Sequence, residues 1–328
     1  RTAGRKAEVA MPSETSDDED PRAGEAVQLQ PGLRRILAPN PSPMTFRGTN
    51  TYLLGETEIA VIDPGPRDRA HLDAILGALR PGQRITHVLV THAHLDHSPL
   101  ARDLAAATGA PVLAHGDARA GRSAVMERLV AEGLSGGGEG VDHDFRPDVE
   151  LADGAEIAGA GWRLLALHTP GHLGNHMCFA LGETLFTGDL VMGWASSIVS
   201  PPDGDLGDFM RSCARLAARR WDRFHPGHGA PVLEPAARLD WLLAHRRQRE
   251  AQILAALDER PGNAADLARR IYADTPPALL PAATRNVFAH LVDLAERGLA
   301  APRAQLSESA MFERRCASKT PDIGTGRP

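Results

Sequence analysis

The chain has 328 residues, with 36 basic against 42 acidic side chains, a net charge of −6 when His is neutral, and 42% apolar content. That composition is ordinary for a globular enzyme and excludes collagen-like, coiled-coil and wholly disordered proteins. No run reaches the roughly 18 to 20 apolar residues of a membrane-spanning helix, and mild acidity argues against coating nucleic acid by bulk charge.

Residues 1–26 include the acidic run SETSDDED at 13–20 and are expected to form a disordered tail, with Met11 inside it as a candidate start. Between 27 and 234 short apolar runs alternate with helical stretches. Strands are expected over 52–54, 58–62, 87–90, 112–114, 162–167, 177–181 and 184–186, and helices over 67–79 and 100–108. Such alternation implies a layered α/β domain. An amphipathic helix over 235–257 leaves this unit, and two more follow over 263–272 and 282–297, separated by the proline-rich 276–281 and closed by Gly298. Together they predict a compact winged-helix-like domain over 235–303, followed by a flexible tail over 304–328. Three cysteines, Cys178, Cys213 and Cys316, are too few for a disulfide framework. With no apolar signal-peptide core over 1–10, they predict a cytoplasmic protein.

Fourteen histidines are present, and several fall in tight groups. The apolar run 87–90 leads into His92, His94, Asp96 and His97, spaced H-x-H-x-D-H. At a strand's end, residues two apart face the same way, so His92 and His94 can share one site while Asp96 and His97 face a neighbouring cation. Further ligands must come from elsewhere, and three more apolar strands end in ligand-type turns. These are His168-Thr169-Pro170-Gly171-His172, Thr187-Gly188-Asp189 and His225-Pro226-Gly227-His228-Gly229. A fourth, Val61-Ile62-Asp63-Pro64-Gly65, places Asp63 as a carboxylate behind the ligands.

In this order Asp63, the His92/His94/Asp96/His97 set, His172, Asp189 and His228 resemble the five motifs of the metallo-β-lactamase superfamily, over about residues 45–232. The resemblance implies a four-layer αββα sandwich. It also implies that His92, His94 and His172 hold one metal, that Asp96, His97 and His228 hold a second, and that Asp189 bridges them. Segments 40–52, 201–205 and 245–254 further resemble the β-lactamase-like protein 2 group, whose members append a winged-helix-like domain and whose animal member is an endoribonuclease on single-stranded RNA. Two positions depart from the family pattern: Leu173 where Thr is common, and Asn175 where Asp is frequent.

A site of this kind implies two Zn²⁺, with Mn²⁺ or Fe²⁺ compatible with a ligand set free of thiolate. Asp96 and Asp189 are the carboxylates assigned to catalysis by a metal-bridging hydroxide, acting on an anionic substrate. His168, His176 and His225 are expected to steady the ligands from behind, with plain packing as the competing role for each. Trp194, Ser196 and Ser197 are expected to wall the substrate pocket. The leading function is phosphodiester hydrolysis of single-stranded RNA. Against it stand a thioesterase of glyoxalase II or polyketide type and a DNA-reading regulator. Residues 245–303 carry nine Arg and seven acids, too slight an excess to decide.

Overall fold

The computed structural model describes residues 21–134, 140–273 and 276–315. Most of the expected acidic tail, Met11, Cys316 and residues 316–328 lie outside them. The chain divides into two compact units, Arg1–Arg246 and Arg247–Pro328.

In the first unit a seven-stranded mixed sheet runs in sequence order. Its strands are β1 (Ala26–Gln30), β2 (Leu33–Leu37), β3 (Asn50–Leu54), β4 (Glu58–Ile62), β5 (Arg84–Leu89), β6 (Val112–Ala114) and β7 (Val149–Glu150). The first four strands pair antiparallel and the rest parallel. A second sheet of β8 (Glu156–Gly159), β9 (Trp162–His168), β10 (Met177–Leu181), β11 (Thr184–Gly188) and β12 (Arg223–Pro226) is antiparallel except where β11 meets β12.

The period-two alternation of the central strands sorts their side chains into two cores. Ile59, Val61, Val88 and Val90 pack with Leu72 and Ile75 of α1 (Arg69–Gly77) and Leu100 and Leu104 of α2 (Leu100–Thr108). Ala60, Ile62 and Leu89 face the other way, against Leu164, Ala166, Met177, Phe179 and Phe186 of the second sheet. Helix α3 (Ala124–Ala131) follows β6, and α4 (Leu206–Ala217) lies against the end of β9, where Ser212 donates to the Pro170 carbonyl at 2.7 Å. The layers are therefore helix, sheet, sheet, helix.

Helix α5 (Pro235–Glu259) contains the division between the units. The second unit holds α6 (Ala264–Ile271), α7 (Leu280–Glu296) and an antiparallel pair, β13 (Ala300–Pro302) with β14 (Phe312–Arg314). The loose tail expected from 304 thus contains a strand, because Phe312 is fully buried and its backbone pairs with Gly262. At the other end Ala23 bridges Leu37 and β1 starts at Ala26, so order begins before residue 27. Among the described residues no helix is long and apolar enough to cross a membrane.

Candidate metal centre

The seven residues expected as ligands are brought together from the strand ends in two adjoining groups. The nitrogens of His92, His94 and His172 form one group, and Asp96, His97, Asp189 and His228 form another, each within 4.8 Å internally. In the first, His94 Nδ1 lies 2.9 Å from His92 Nε2 and 3.1 Å from His172 Nε2. In the second, His228 Nε2 lies 3.1 Å from Asp96 Oδ2, 3.3 Å from Asp189 Oδ2 and 3.3 Å from His97 Nε2. Asp189 Oδ2 is also 3.7 Å from His172 Nε2, so this carboxylate faces both groups.

The outer nitrogens decide which way the lone pairs point. His172 Nδ1 donates to the Ile198 carbonyl at 2.7 Å, and His228 Nδ1 donates to the Gly48 carbonyl at 3.1 Å. His97 Nδ1 donates to Asp63 Oδ2 at 3.0 Å. Thr91 Oγ1 gives its proton to Asp63 Oδ2 at 2.8 Å, so at 2.9 Å it accepts from His92 Nδ1. In four imidazoles the Nδ1 proton is thereby engaged, so that in the neutral ring the free lone pair is that of Nε2, aimed inward as a cation requires.

Charge follows the same division. Burial, joined by the neighbouring imidazoles, depresses His92 well below its ordinary value and His94 to about 3, which keeps both in the neutral ligand form. In the second group burial opposes ionisation, yet His97 and His228 hold Asp96 and Asp189 well below the usual carboxylate range. Burial likewise opposes protonation of His228, and Asp189 and Asp96 overcome it, lifting the imidazole to about 9. A cation bound here would displace those protons and take over their role. Asp189 Oδ1, buried and without a hydrogen-bond donor, is a further ligand atom, so the residues fit a pair of divalent cations.

The remaining expected residues divide. His176 accepts from the Asp189 backbone N–H at 3.3 Å and donates to Thr169 Oγ1 at 3.0 Å, so it steadies the main chain of Asp189. His168 instead donates to the Gly174 carbonyl at 2.9 Å and stacks on His115 at 3.7 Å between centroids, outside the ligand groups. His225 departs further from expectation. It sits in the core between Tyr52 and Phe186, with centroid distances of 5.5 and 5.4 Å, and neither nitrogen has a partner. Ser197 is fully buried and does not wall a pocket; its hydroxyl lies against the Asp189 and Leu190 carbonyls. Trp194 and Ser196 stay half-buried, and Trp194 stacks on Phe46 at 5.0 Å.

Other contributors carry no ligand chemistry of their own. Asn50 Nδ2 donates to the Pro226 and Gly229 carbonyls at 3.0 and 2.9 Å, its N–H donates to the Gly227 carbonyl at 2.7 Å, and Tyr52 donates to the Pro226 carbonyl at 2.6 Å. These bonds from β3 fix the loop that delivers His228. At Asn175 the amide is the fitting group, because Nδ2 donates to the Gly116 and Asp117 carbonyls while Oδ1 accepts from the Ala93 N–H. A carboxylate could not make the first two bonds.

This fold and site define a metallo-hydrolase, and the chain belongs to the metallo-beta-lactamase superfamily, whose profile matches residues 44–251. A beta-lactamase associated winged helix domain matches residues 264–305. A "Beta-lactamase-like protein 2 homolog" of Drosophila melanogaster is 32% identical over 296 residues, spanning 86% of this chain and 93% of that protein. An "Atrochrysone carboxyl ACP thioesterase" of Paecilomyces divaricatus is 34% identical over 235 residues, covering 70% of this chain and 66% of that protein. Among solved structures, a metallo-beta-lactamase family protein of Thermus thermophilus aligns with a TM-score of 0.70 at 28% identity. It covers 88% of this chain and 100% of its own. The chain is a superfamily hydrolase with a site suited to two metals.

Proposed function

We propose that this hydrolase cleaves phosphodiester bonds in single-stranded RNA, in the cytoplasm, with two divalent cations. The observation that carries the reading is the pairing of a complete ligand set, joined through Asp189, with an associated winged-helix domain; the Drosophila relative matches 86% of the chain. His92, His94 and His172 would hold one cation, and Asp96, His97 and His228 the other, with Asp189 facing each. Zinc suits this mixture of imidazole and carboxylate, and Mn²⁺ or Fe²⁺ shares the preference. Once bound, the pair would supply a water acidic enough to attack at neutral pH and positive charge for the anionic transition state. Two divalent cations outweigh the carboxylates of Asp63, Asp96 and Asp189, which favours a phosphodiester substrate. In this assignment residues 27–234 do the chemistry and residues 235–303 bind the strand. In the same reading Trp194 and Ser196 would wall the approach to the site, and two of the thiols, Cys178 and Cys213, are free and buried, as a reducing compartment allows.

A second reading rests on the Paecilomyces thioesterase, which is 34% identical over 70% of this chain. The test is hydrolysis by zinc- or manganese-loaded protein of labelled single-stranded RNA beside S-lactoylglutathione and an acyl thioester of a carrier protein, with Asp189→Ala as control. RNA cleavage that disappears in the variant is expected. Thioester turnover without RNA cleavage would transfer the function to the second reading.

A further inference from the structure

We propose that Arg238 and Arg246 of α5 are positioning residues for the metal centre, acting through the loop 190–198. Arg238 Nε donates to the Met192 carbonyl at 2.6 Å and its Nη2 to the Ala195 carbonyl at 2.7 Å, while Arg246 Nη2 donates to the Ser197 carbonyl. Both side chains are buried, at 2% and 3% exposure. Arg238 also lies over Trp241 at 4.4 Å and Arg246 over Phe209 at 5.0 Å, so aromatic faces fix where each fork can point.

The gripped loop touches both ligand groups. Ser197 Oγ lies against the Asp189 carbonyl, and the next carbonyl, that of Ile198, accepts from His172 Nδ1 at 2.7 Å. A shift of the 197–198 peptide would therefore move the bridging carboxylate and release the imidazole of His172 from its metal-binding tautomer. The arginines are eight positions apart, about 12 Å along a helix at 1.5 Å per residue, and lie on one i, i+4, i+8 row. That spacing suits carbonyls spread over residues 192–197. At position 238 arginine serves where lysine would not, because one planar fork reaches the Met192 and Ala195 carbonyls in fixed directions. Arg246 also belongs to the 245–254 segment, for which the ligand chemistry gives no role.

The inference rests on the two-metal reading of the site, and zinc affinity tests the two separately. Metal-free wild type, Arg238→Met, Arg246→Met, Arg246→Lys, Ser197→Ala and the exposed control Arg247→Met are titrated with zinc against a chromophoric chelator. Circular dichroism and the melting temperature of each metal-free protein are measured alongside. Loss of a residue that orients a ligand's partner typically weakens metal about 10- to 100-fold. That loss is expected for Arg238→Met and Arg246→Met, with Arg246→Lys intermediate and Arg247→Met unchanged. Arg246→Met and Ser197→Ala should combine non-additively, since both act through one peptide. Folded variants that bind zinc like wild type, or that only melt earlier without metal, overturn the inference. Should Arg246→Met not fold, Arg246→Lys and Ser197→Ala decide it by the same criterion. Wild type that binds no zinc overturns the metal reading itself.

Discussion

Asp63 and His97 stand 34 positions apart and share a 3.0 Å hydrogen bond between Oδ2 and Nδ1. Asp63 makes it from a left-handed backbone conformation, φ 51°, that few residues other than glycine, Asn and Asp adopt readily. Its carboxylate also accepts from the Thr91 N–H at 2.7 Å and the Thr91 hydroxyl at 2.8 Å. An acceptor with this many donors must be a carboxylate. In Asp63→Asn one amide N–H would face a donor, and His97 would keep its proton on Nε2, where the cation belongs. Zinc affinity is expected to fall about 10- to 100-fold, measured by calorimetric titration; an unchanged affinity would show that the tautomer is set elsewhere.

Gly227 offers a sharper steric test. A Cβ added there would stand 2.4 Å from Asp189 Oδ1 and 2.7 Å from His97 Cε1. Gly227→Ala should therefore displace ligand atoms while leaving both cores intact, with a turnover loss of roughly a hundredfold or more, as expected of misplacements near 1 Å. Elemental analysis should find it metal-depleted, with an unchanged far-UV spectrum. Full occupancy and full turnover would refute the argument.

The ligands were legible in the sequence because His92, His94, Asp96 and His97 follow an apolar strand in one tight spacing, and His172, Asp189 and His228 each follow an apolar strand in a glycine-containing turn, a pattern that survives without tertiary information. What was not legible depends on which face of the chain turns inward. His225 occupies such a turn and looks like a helper of His228, yet on β12 its ring points into the core against Phe186. Ser197 lies near the site in sequence but is drawn beneath it by Asp189. Strand β2, LRRIL, carries two arginines that break the apolar pattern, although every residue in it is buried. Arg34 is satisfied through Gln83 at 2.9 Å and the Ala78 carbonyl, partners far along the chain. The 12-residue α4 hides behind its polar positions, but Asp205 caps it by accepting from the Asp208 N–H at 3.1 Å. Asn50 and Tyr52 lie in the segment 40–52 that carries a resemblance, but their role needs the carbonyls of Pro226, Gly227 and Gly229 in space.

Buried neutral histidines away from the ligands set an acid limit on the fold. Burial depresses His225 to about 3 and His71 to about 4, from 6.5. His71 Nε2 donates to Thr51, and its buried Nδ1 has no partner that a proton could serve. Below pH 6.5 the unfolded chain takes up protons that these folded residues refuse, so their contribution is fully present above 6.5. It is lost as the pH falls towards 4 for His71 and towards 3 for His225, by about 1.4 kcal/mol per residue per pH unit. In urea denaturation of metal-free protein, His225→Leu should match wild type at pH 7 to within a cavity term and exceed it by pH 5. A pH slope identical to that of wild type would contradict this origin.

Metal binding should stabilise the fold in a way that counts the sites. A ligand that binds only the native state at 100 times its dissociation constant adds about 2.7 kcal/mol, so two filled sites should raise the melting temperature in two resolvable zinc increments, and a chelator should reverse them. His92→Ala removes a nitrogen from the all-histidine group and should lose the increment belonging to that site. Asp189→Ala removes the carboxylate whose Oδ2 lies 3.3 Å from His228 Nε2 and 3.7 Å from His172 Nε2, so it should weaken both increments together. Elemental analysis beside scanning calorimetry distinguishes these outcomes. If Asp189→Ala lost a single increment, as His92→Ala is expected to, Asp189 would serve one cation and the two groups would be independent sites.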